Sequence, residues 1–250
     1  MKTSASLDSD QESETESGSR LVIAVDGPSG AGKSSASRGA ARALGLRYLD
    51  TGSMYRALTW WLLSRGLDVG DPETVARHAG RPVIEVSTDP ARPRVAVDGT
   101  DVTGLIRSRE VSNAVSAVAS VPEVRAHLIA QQQDILASAC AAGEGIVAEG
   151  RDIGTVVAPQ AVVKVFLTAS EEARAVRRSA DLAADPGATP AVTRDEQQRR
   201  DTADAPQSAA ADDAIRVDST VLSLDQVIAL IVRVAGERGF PLAGHPARAG

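Results

Sequence analysis

Short apolar runs separated by longer, partly polar stretches recur along most of this chain. The runs are mostly rich in β-branched residues and do not alternate cleanly between apolar and polar positions, which is typical of parallel strands covered on both faces. This pattern predicts an α/β fold with three layers, in which helices flank a parallel five-stranded sheet. The predicted strands are Leu21–Val25, Leu46–Leu49, Ile146–Ala148, Val162–Leu167 and Ala214–Val217.

Helical patterns lie between these strands. Ser223, which stands three residues before Gln226 and precedes an apolar run, is typical of a helix start. The predicted helices are Ser35–Leu44, Ser53–Ser64, Glu123–Ala141, Ser170–Ala180 and Ser223–Val234.

Two segments interrupt the alternation of strands and helices. Within Pro82–Val121, two strand-like runs, Val83–Val86 and Arg94–Val97, precede a turn signal at Asp98-Gly99, which predicts a small β-containing insert. The stretch Asp185–Pro190 is predicted to be a flexible loop because of its proline and glycine, and it lies between two arginine-rich helical stretches.

Composition and charge exclude several classes of protein. A hydrophobic content of 43% and a charged content of 24% in 250 residues are ordinary for a soluble domain with one sizeable core. No apolar run is long enough to span a bilayer, and residues 1–20 lack the apolar stretch of a signal peptide, so we expect a cytoplasmic protein without membrane contact. We expect a disordered acidic tail at residues 1–20, a folded domain at residues 21–236 and a flexible tail at residues 237–250.

The net charge of −6 argues against non-specific binding to nucleic acid. Cys140 is the only cysteine, so no internal disulfide forms, which fits a reducing compartment. Its position between alanines indicates a buried small side chain rather than a nucleophile. The histidines His78, His127 and His245 lack the spacing of zinc ligands.

The most informative motif is Gly27–Ser34, which fits the phosphate-binding loop pattern G-x-x-x-x-G-K-[ST]. It follows a predicted strand and leads into a predicted helix, which is the context that this motif requires. Backbone amides of such a loop point at phosphate, and the helix N-terminus adds positive potential. Lys33 is suited to bridging the β- and γ-phosphates, and the Ser34 hydroxyl is suited to holding Mg²⁺.

A carboxylate at the end of a neighbouring strand is expected near such a metal ion. Glu149 ends one apolar strand and is the first candidate, and Asp26 at the end of the first strand is the second. A helix-capping or loop role remains open for either residue.

Arginines form the second chemical signal. Guanidinium groups suit phosphates and the charge of a loose phosphoryl-transfer transition state, although many arginines simply face solvent. Arg56 and Arg151 follow predicted strands, at the edge where open α/β sheets bind ligands. Because both would reach the same crevice as Lys33, a second phosphate-bearing substrate is the simplest use for them.

At this point the chain resembles the bacterial cytidylate kinases. The resemblance runs from about Leu21 to Val234, and its first and third motifs together are highly specific. The matching segments are Asp26–Ser35, Leu49–Arg56, Glu149–Val157, Arg199–Asp204 and Val217–Thr220.

The resemblance implies a nucleoside-monophosphate-kinase fold, with a P-loop NTPase core, a CMP-binding insert at residues 82–130 and a lid at residues 174–205. It implies Mg²⁺-dependent transfer of the ATP γ-phosphoryl group to CMP or dCMP, which is a step of pyrimidine nucleotide metabolism. We expect a monomer whose partners are these small molecules. By resemblance, the ATP-binding residues are Gly27, Pro28, Ser29, Gly30, Ala31, Gly32, Lys33, Ser34 and Ser35, and the metal ligands are Ser34 and Glu149.

The resemblance also assigns the remaining site residues. Arg56 and Arg151 match ligands of the CMP phosphate, while Arg200 and Asp204 match ribose and phosphate contacts. The cytosine-reading group is Ser116, Arg125 and Asp152, the expected catalytic residues are Lys33, Arg151 and the lid arginine Arg177, and Thr51 and Tyr55 complete the substrate-binding set.

One position departs from the family pattern. Gln207 stands where the family often has an arginine that contacts the acceptor phosphate. Two consequences stay open: affinity or rate is reduced, or Arg194 or Arg199 substitutes for the missing arginine.

Other readings of these motifs remain open. A UMP or shikimate-type kinase would share the same core. A GTPase switch is suggested by Asp101–Gly104, which matches D-x-x-G, but no Asn-Lys-x-Asp motif surrounds Lys2 or Lys164. The pair Trp60-Trp61 is a candidate for stacking on a base. We favour core packing or support of the insert for it, because aromatic residues on helices usually pack.

Overall fold

The computed structural model describes residues 22–181, 189–238 and 240. Five parallel strands form the main sheet in the order β2-β6-β1-β7-β8, and three antiparallel strands form a small second sheet in the order β3-β4-β5. The strands are β1 (Val22–Asp26), β2 (Arg47–Asp50), β3 (Ile84–Val86), β4 (Val95–Val97), β5 (Thr100–Asp101), β6 (Ile146–Gly150), β7 (Val163–Thr168) and β8 (Ile215–Asp218).

The helices of the described residues cover the main sheet and carry the segments between its strands. Short helical turns lie at Leu105–Arg107, Ile153–Val157 and Ala205–Gln207. The longer helices are α1 (Lys33–Leu44), α2 (Thr51–Ser64), α3 (Pro72–His78), α4 (Arg109–Ala119), α5 (Pro122–Ala141), α6 (Glu171–Asp181), α7 (Pro190–Asp204) and α8 (Leu224–Glu237).

Two apolar cores, one on each face of the main sheet, confirm the predicted three layers. Ala24 of β1 packs in one core with Leu58 of α2 and Leu128 of α5. Val25 of β1 packs in the other core with Ile231 of α8. Successive side chains of a strand point to opposite faces, so one buried strand serves both cores, which is why its sequence does not alternate.

The predicted strands are confirmed, but most are displaced by about one residue. The strands continue to polar residues at their carboxyl ends, such as Asp26, Asp50 and Asp218. The backbone hydrogen bonds of the sheet extend past the apolar run, so the apolar pattern marks only the buried part of each strand. Leu21, the first residue predicted for β1, lies outside the described residues.

The predicted β-containing insert is present as the small sheet, which is held to α2 by Trp61. The indole Nε1 of Trp61 donates to Oδ2 of Asp98 at 2.8 Å, and Oδ1 of Asp98 accepts from the Val83 amide at 2.9 Å. Trp61 is buried, which confirms the core-packing role favoured for it. The rest of the segment 82–121 is largely helical, and α4 was not predicted because its valines favour strands by propensity.

Helices α6 and α7 pack against each other beside the phosphate-binding loop. Residues 182–188, which include most of the predicted Asp185–Pro190 loop, lie outside the described residues. Thr189 caps α7, because its side chain accepts from the Val192 amide. None of the described helices is long and apolar enough to cross a membrane. The predicted tail at 1–20 lies outside the described residues, whereas α8 extends to Glu237 and Phe240 is buried in the core.

Candidate active site

The phosphate-binding loop connects β1 to α1 in a conformation that requires glycine. The φ angles are 147° at Gly27, 76° at Gly30 and 90° at Gly32, all in the region that disfavours other residues. A Cβ atom on Gly27 would lie 2.0 Å from the carbonyl oxygen of Leu167, so the loop wraps directly against β7. Within the described residues no side chain caps α1, whose first amides are therefore left for a ligand.

Lys33 folds its ammonium group over this loop, where Nζ donates to the carbonyl oxygen of Pro28 at 2.8 Å. Burial and the nearby charge of Arg151 lower the pKa of Lys33 to about 8, against the opposing charges of Glu149 and Asp26. The ammonium group is thus a buried cation beside the loop amides, in position to meet an anionic ligand.

Glu149 and Ser34 place two oxygen donors together at the end of β6. The carboxylate of Glu149 is buried, is hydrogen-bonded to Ser34 and accepts from the Tyr48 hydroxyl at 2.6 Å. Burial and the charge of Asp50 raise the pKa of Glu149 to about 7. A hydroxyl and a carboxylate are ligands that Mg²⁺ prefers. The described residues contain no group of three His, Cys, Asp or Glu side chains that could hold a metal.

Asp26, the second metal candidate, instead fixes the loop that follows β6. Its Oδ1 accepts from the Ile153 amide at 2.8 Å, and its Oδ2 accepts from the Gly154 amide at 2.8 Å. Burial raises the pKa of Asp26 to about 6. Because this loop carries Arg151 and Asp152, Asp26 positions two predicted substrate residues.

Half-buried guanidinium groups gather near Arg151, which contacts the phosphate-binding loop. Burial, followed by the charges of Arg200 and Arg178, lowers the pKa of Arg56 to about 9. Burial and Arg151 lower the pKa of Arg200 to about 10. Like charges brought together in a low-dielectric site favour a bound anion, and the structure therefore brings together the arginines predicted from the sequence.

Arg151 joins the loop to helix α7. Its Nη1 donates to the carbonyl oxygen of Gly27 at 3.1 Å, and its Nη2 donates to Oδ2 of Asp204 at 2.6 Å. Asp201 lies 3.7 Å from the same guanidinium group. Asp204 therefore orients the guanidinium group of Arg151 through a direct ion pair.

Helix α6 presents further arginines to the loop. Arg177 donates from Nη2 to the carbonyl oxygen of Ser219 at 2.6 Å, beside the loop. Arg174 donates from Nη1 to the carbonyl oxygen of Ser29 at 3.0 Å and pairs with Asp201, which accepts from the Ser29 amide at 3.3 Å. The sequence reasoning did not select Arg174 and Asp201, although the arginine spacing along α6 was the available signal.

A polar recess lies next to the arginines. Arg125 of α5 donates to Asp152, while the buried hydroxyl groups of Tyr55 and Ser116 find no hydrogen-bond partner among the residues that the structure describes. Buried polar groups are nearly always hydrogen-bonded, so unpartnered ones indicate a place for a ligand. Thr51 has a different contact, because its hydroxyl donates to the carbonyl oxygen of Glu149 at 2.7 Å and ties α2 to β6.

The predicted substitutes for the missing family arginine lie elsewhere. Arg199 donates to the carbonyl oxygen of Asp195 on the exposed surface of α7, and Arg194 lies 4.0 Å from Glu172. Neither contacts the arginine cluster in this structure, and a substituting role for either stays a prediction. Gln207 lies in the short turn after α7, and the guanidinium group that does reach the cluster is that of Arg178.

The D-x-x-G motif of the GTPase alternative belongs to the small sheet. Asp101 ends β5, where its Oδ1 accepts from the Thr103 amide at 2.9 Å and its Oδ2 pairs with exposed Arg94. A carboxylate engaged in this turn does not act as a nucleotide switch.

Positive charge gathers near the Lys33 ammonium group, from the loop amides and from Arg151 and Arg200, and it suits two phosphate-bearing ligands that meet end to end. This arrangement on a five-stranded parallel sheet defines a P-loop phosphotransferase.

The sequence matches the cytidylate kinase family over residues 23–237. The cytidylate kinase of Streptomyces griseus is 52% identical over 225 residues, which cover 88% of this chain and 95% of that protein. The cytidylate kinase of Rhodococcus opacus is 48% identical over 225 residues, which cover 88% of this chain and 96% of that protein. The chain belongs to the cytidylate kinase family and is a kinase with nucleotide substrates, for which the family implies ATP as phosphoryl donor.

Proposed function

We propose that this enzyme transfers the γ-phosphoryl group of ATP to CMP or dCMP in the presence of Mg²⁺ and releases ADP and CDP or dCDP. The observation that carries this proposal is the group of half-buried arginines around Arg151, which contacts the phosphate-binding loop at Gly27 and directly precedes Asp152 of the Arg125–Asp152 ion pair. The phosphate-binding loop is complementary to the phosphate chain of a donor. The arginines are complementary to an acceptor phosphate, and the Arg125–Asp152 pair is complementary to a pyrimidine base.

ATP is held by Gly27–Ser35. The loop amides and the uncapped N-terminus of α1 bind its phosphate oxygens, and Lys33 releases Pro28 to reach them. Arg177 stands beside the same loop and neutralises charge that develops during transfer.

Ser34 and Glu149 would hold Mg²⁺, because the Ser34 hydroxyl lies beside the buried Glu149 carboxylate and both supply oxygen ligands. When bound, the ion would neutralise phosphate charge and help to align the phosphoryl group. Tyr48 keeps the Glu149 carboxylate in place through its 2.6 Å hydrogen bond.

The acceptor nucleotide lies across the arginines, with its phosphate on Arg56, Arg151 and Arg200 and its ribose near Asp204. Asp152, Arg125 and Ser116 read the cytosine edge, and Tyr55 adds a hydroxyl that burial and the charge of Asp152 keep neutral, with a pKa raised to about 12. A phosphate acceptor is already ionised at neutral pH. The enzyme therefore needs alignment and charge neutralisation rather than a strong general base.

Residues 82–130 form the CMP-binding insert, and residues 174–205 form a lid in this proposal. The contacts of Arg174 and Arg177 with the loop region support the lid, because α6 already reaches over the ATP site. A closed lid excludes water, which would otherwise hydrolyse ATP. We further propose a cytoplasmic monomer that acts on small molecules and contacts neither nucleic acid nor membrane.

A coupled assay of ADP release tests the proposed function, with CMP, dCMP, UMP, AMP and GMP as acceptors. We expect CMP and dCMP to give the largest kcat/KM values. A clear preference for UMP or for a purine nucleotide would contradict the cytosine assignment, and no transfer to any nucleotide would contradict the proposed reaction.

A further inference from the structure

Arg178 and Arg56 donate to the same hydroxyl group although they lie on different helices. Arg178 of α6 donates from Nη2 to Oγ of Ser112 at 3.0 Å, and Arg56 of α2 donates from Nη1 to the same oxygen at 2.8 Å. Ser112 lies on α4 and is buried. One neutral oxygen therefore bridges two cations from separate parts of the molecule.

The surroundings of this bridge contain several guanidinium groups, whose charges are opposed only in part by Asp50, Asp201 and Asp204. Burial and then the charges of Arg200 and Arg178 lower the pKa of Arg56, and Arg178 is also among the charges that lower the pKa of Arg200. The Nε atom of Arg200 is buried without a hydrogen-bond partner in the structure. A serine hydroxyl cannot balance this charge, whereas a dianionic phosphate can.

A cavity opens at the same place between α4, α6 and α7. Its lining is polar and includes Ser112, Arg178, Arg200 and the acidic residue Glu196, so the guanidinium groups border a small polar space that has to widen to admit a phosphate. The planar guanidinium fork matches phosphate oxygens better than it matches a single hydroxyl.

We propose that Arg178 contacts the phosphate of the acceptor nucleotide, and that Ser112 positions Arg178 and Arg56 for this contact. The inference rests on the proposed function and gives a substrate contact to Arg178, to which no role was assigned from the sequence. Because Arg178 belongs to α6 of the proposed lid and Ser112 belongs to α4 of the proposed insert, the acceptor phosphate would connect the two.

Arg178→Gln tests the contact through steady-state kinetics and through calorimetric binding of CMP and of cytidine, which lacks the phosphate. We expect the KM for CMP to rise at least about tenfold, with the KM for ATP and the affinity for cytidine within twofold. Arg178→Lys should recover part of the CMP affinity because it keeps the charge. The matched control is Arg233→Gln, since Arg233 is exposed on α8 and pairs with Glu237 of its own helix.

Ser112→Ala tests the positioning role, with an expected three- to fivefold rise in the KM for CMP and unchanged cytidine binding. A KM for CMP within twofold of the wild type in Arg178→Gln overturns the proposal, as does an equal loss of CMP and cytidine affinity. If Arg178→Gln does not fold, unchanged CMP kinetics in both Arg178→Lys and Ser112→Ala overturn it. A wild-type enzyme that does not phosphorylate CMP contradicts the proposed function itself, which separates the two failures.

Discussion

Arg125 and Asp152 form an ion pair that links α5 to the loop after β6. The Nη2 atom of Arg125 donates to Oδ2 of Asp152 at 2.5 Å, and the carboxylate is largely buried. An ion pair of this kind fixes the orientation of the carboxylate before any ligand binds. A fixed acceptor suits recognition of the exocyclic amino group of cytosine, which is a hydrogen-bond donor.

Asp152→Ala should therefore reduce kcat/KM for CMP by about 100-fold, because a charged hydrogen bond to the base is lost and Arg125 is left unpaired. The affinity for ATP should stay within about twofold, because the phosphate-binding loop is unchanged. Steady-state kinetics with each substrate varied in turn measure both quantities. Asp134→Ala on the exposed surface of α5 is the matched control, and equal losses for CMP and ATP would refute the base-reading role.

Lys33→Ala should leave a folded protein in which phosphoryl transfer falls by about 10³-fold or more, because the buried cation beside the loop amides is lost. Circular dichroism checks the fold, and ADP release checks the transfer. Lys164→Ala is the control, since Lys164 pairs with Asp213 away from the loop. A variant that keeps more than a tenth of wild-type turnover would remove Lys33 from the mechanism.

The unit around Lys33 could be predicted from the sequence because its requirements are local. An apolar strand, glycines at positions that adopt positive φ, and a helix start follow one another within Val22–Leu44. The ion pairs of the site are not local in this sense. Arg151 and Asp204 are 53 residues apart, and their contact depends on how α7 packs rather than on any pattern near either residue.

The arginines of α6 show the same limit of sequence-based prediction at the level of single side chains. Successive residues of a helix point about 100° apart, so neighbours in sequence serve different partners. Arg177 reaches Ser219 beside the phosphate-binding loop, whereas Arg178 reaches Ser112 on α4. The sequence indicated an arginine-rich helix. The contact that each arginine makes depends on how α6 is oriented against its neighbours, which only the structure shows.

Glu149→Gln should raise the Mg²⁺ concentration that gives half-maximal activity by about tenfold, because an amide is a weaker ligand than a carboxylate for a hard cation. The amide oxygen can still accept from Tyr48, so the fold should be retained. Titration of Mg²⁺ at a fixed ATP concentration measures the change. An unaltered Mg²⁺ dependence would assign the metal to other groups.

The pKa of Asp26 predicts a pH dependence of stability. Burial raises this pKa from 3.8 to about 6, so between these values the native protein keeps a proton that the unfolded chain releases. The contribution of Asp26 to the free energy of unfolding should therefore fall as the pH rises through this window, by up to about 3 kcal/mol. Above pH 6 the Asp26 carboxyl is ionised in the native protein, and the cost of burying its charge lowers the free energy of unfolding by the full amount.

Urea unfolding of the wild type and of Asp26→Asn at several pH values between 4 and 7 isolates this term, because the variant has no carboxyl group at that position. The wild-type free energy of unfolding minus that of the variant should decrease across the window. A difference that stays constant or increases with pH would show that the raised pKa is absent.

The end-to-end placement of two nucleotides is tested most directly by a compound in which adenosine and cytidine are joined through five phosphates. Isothermal titration calorimetry should give one molecule bound per chain, at least about 100-fold tighter than ATP alone, with binding weakened by either ATP or CMP in competition. Affinity no greater than that of ATP, or competition by ATP and not by CMP, would contradict a shared crevice between the phosphate-binding loop and the arginine cluster.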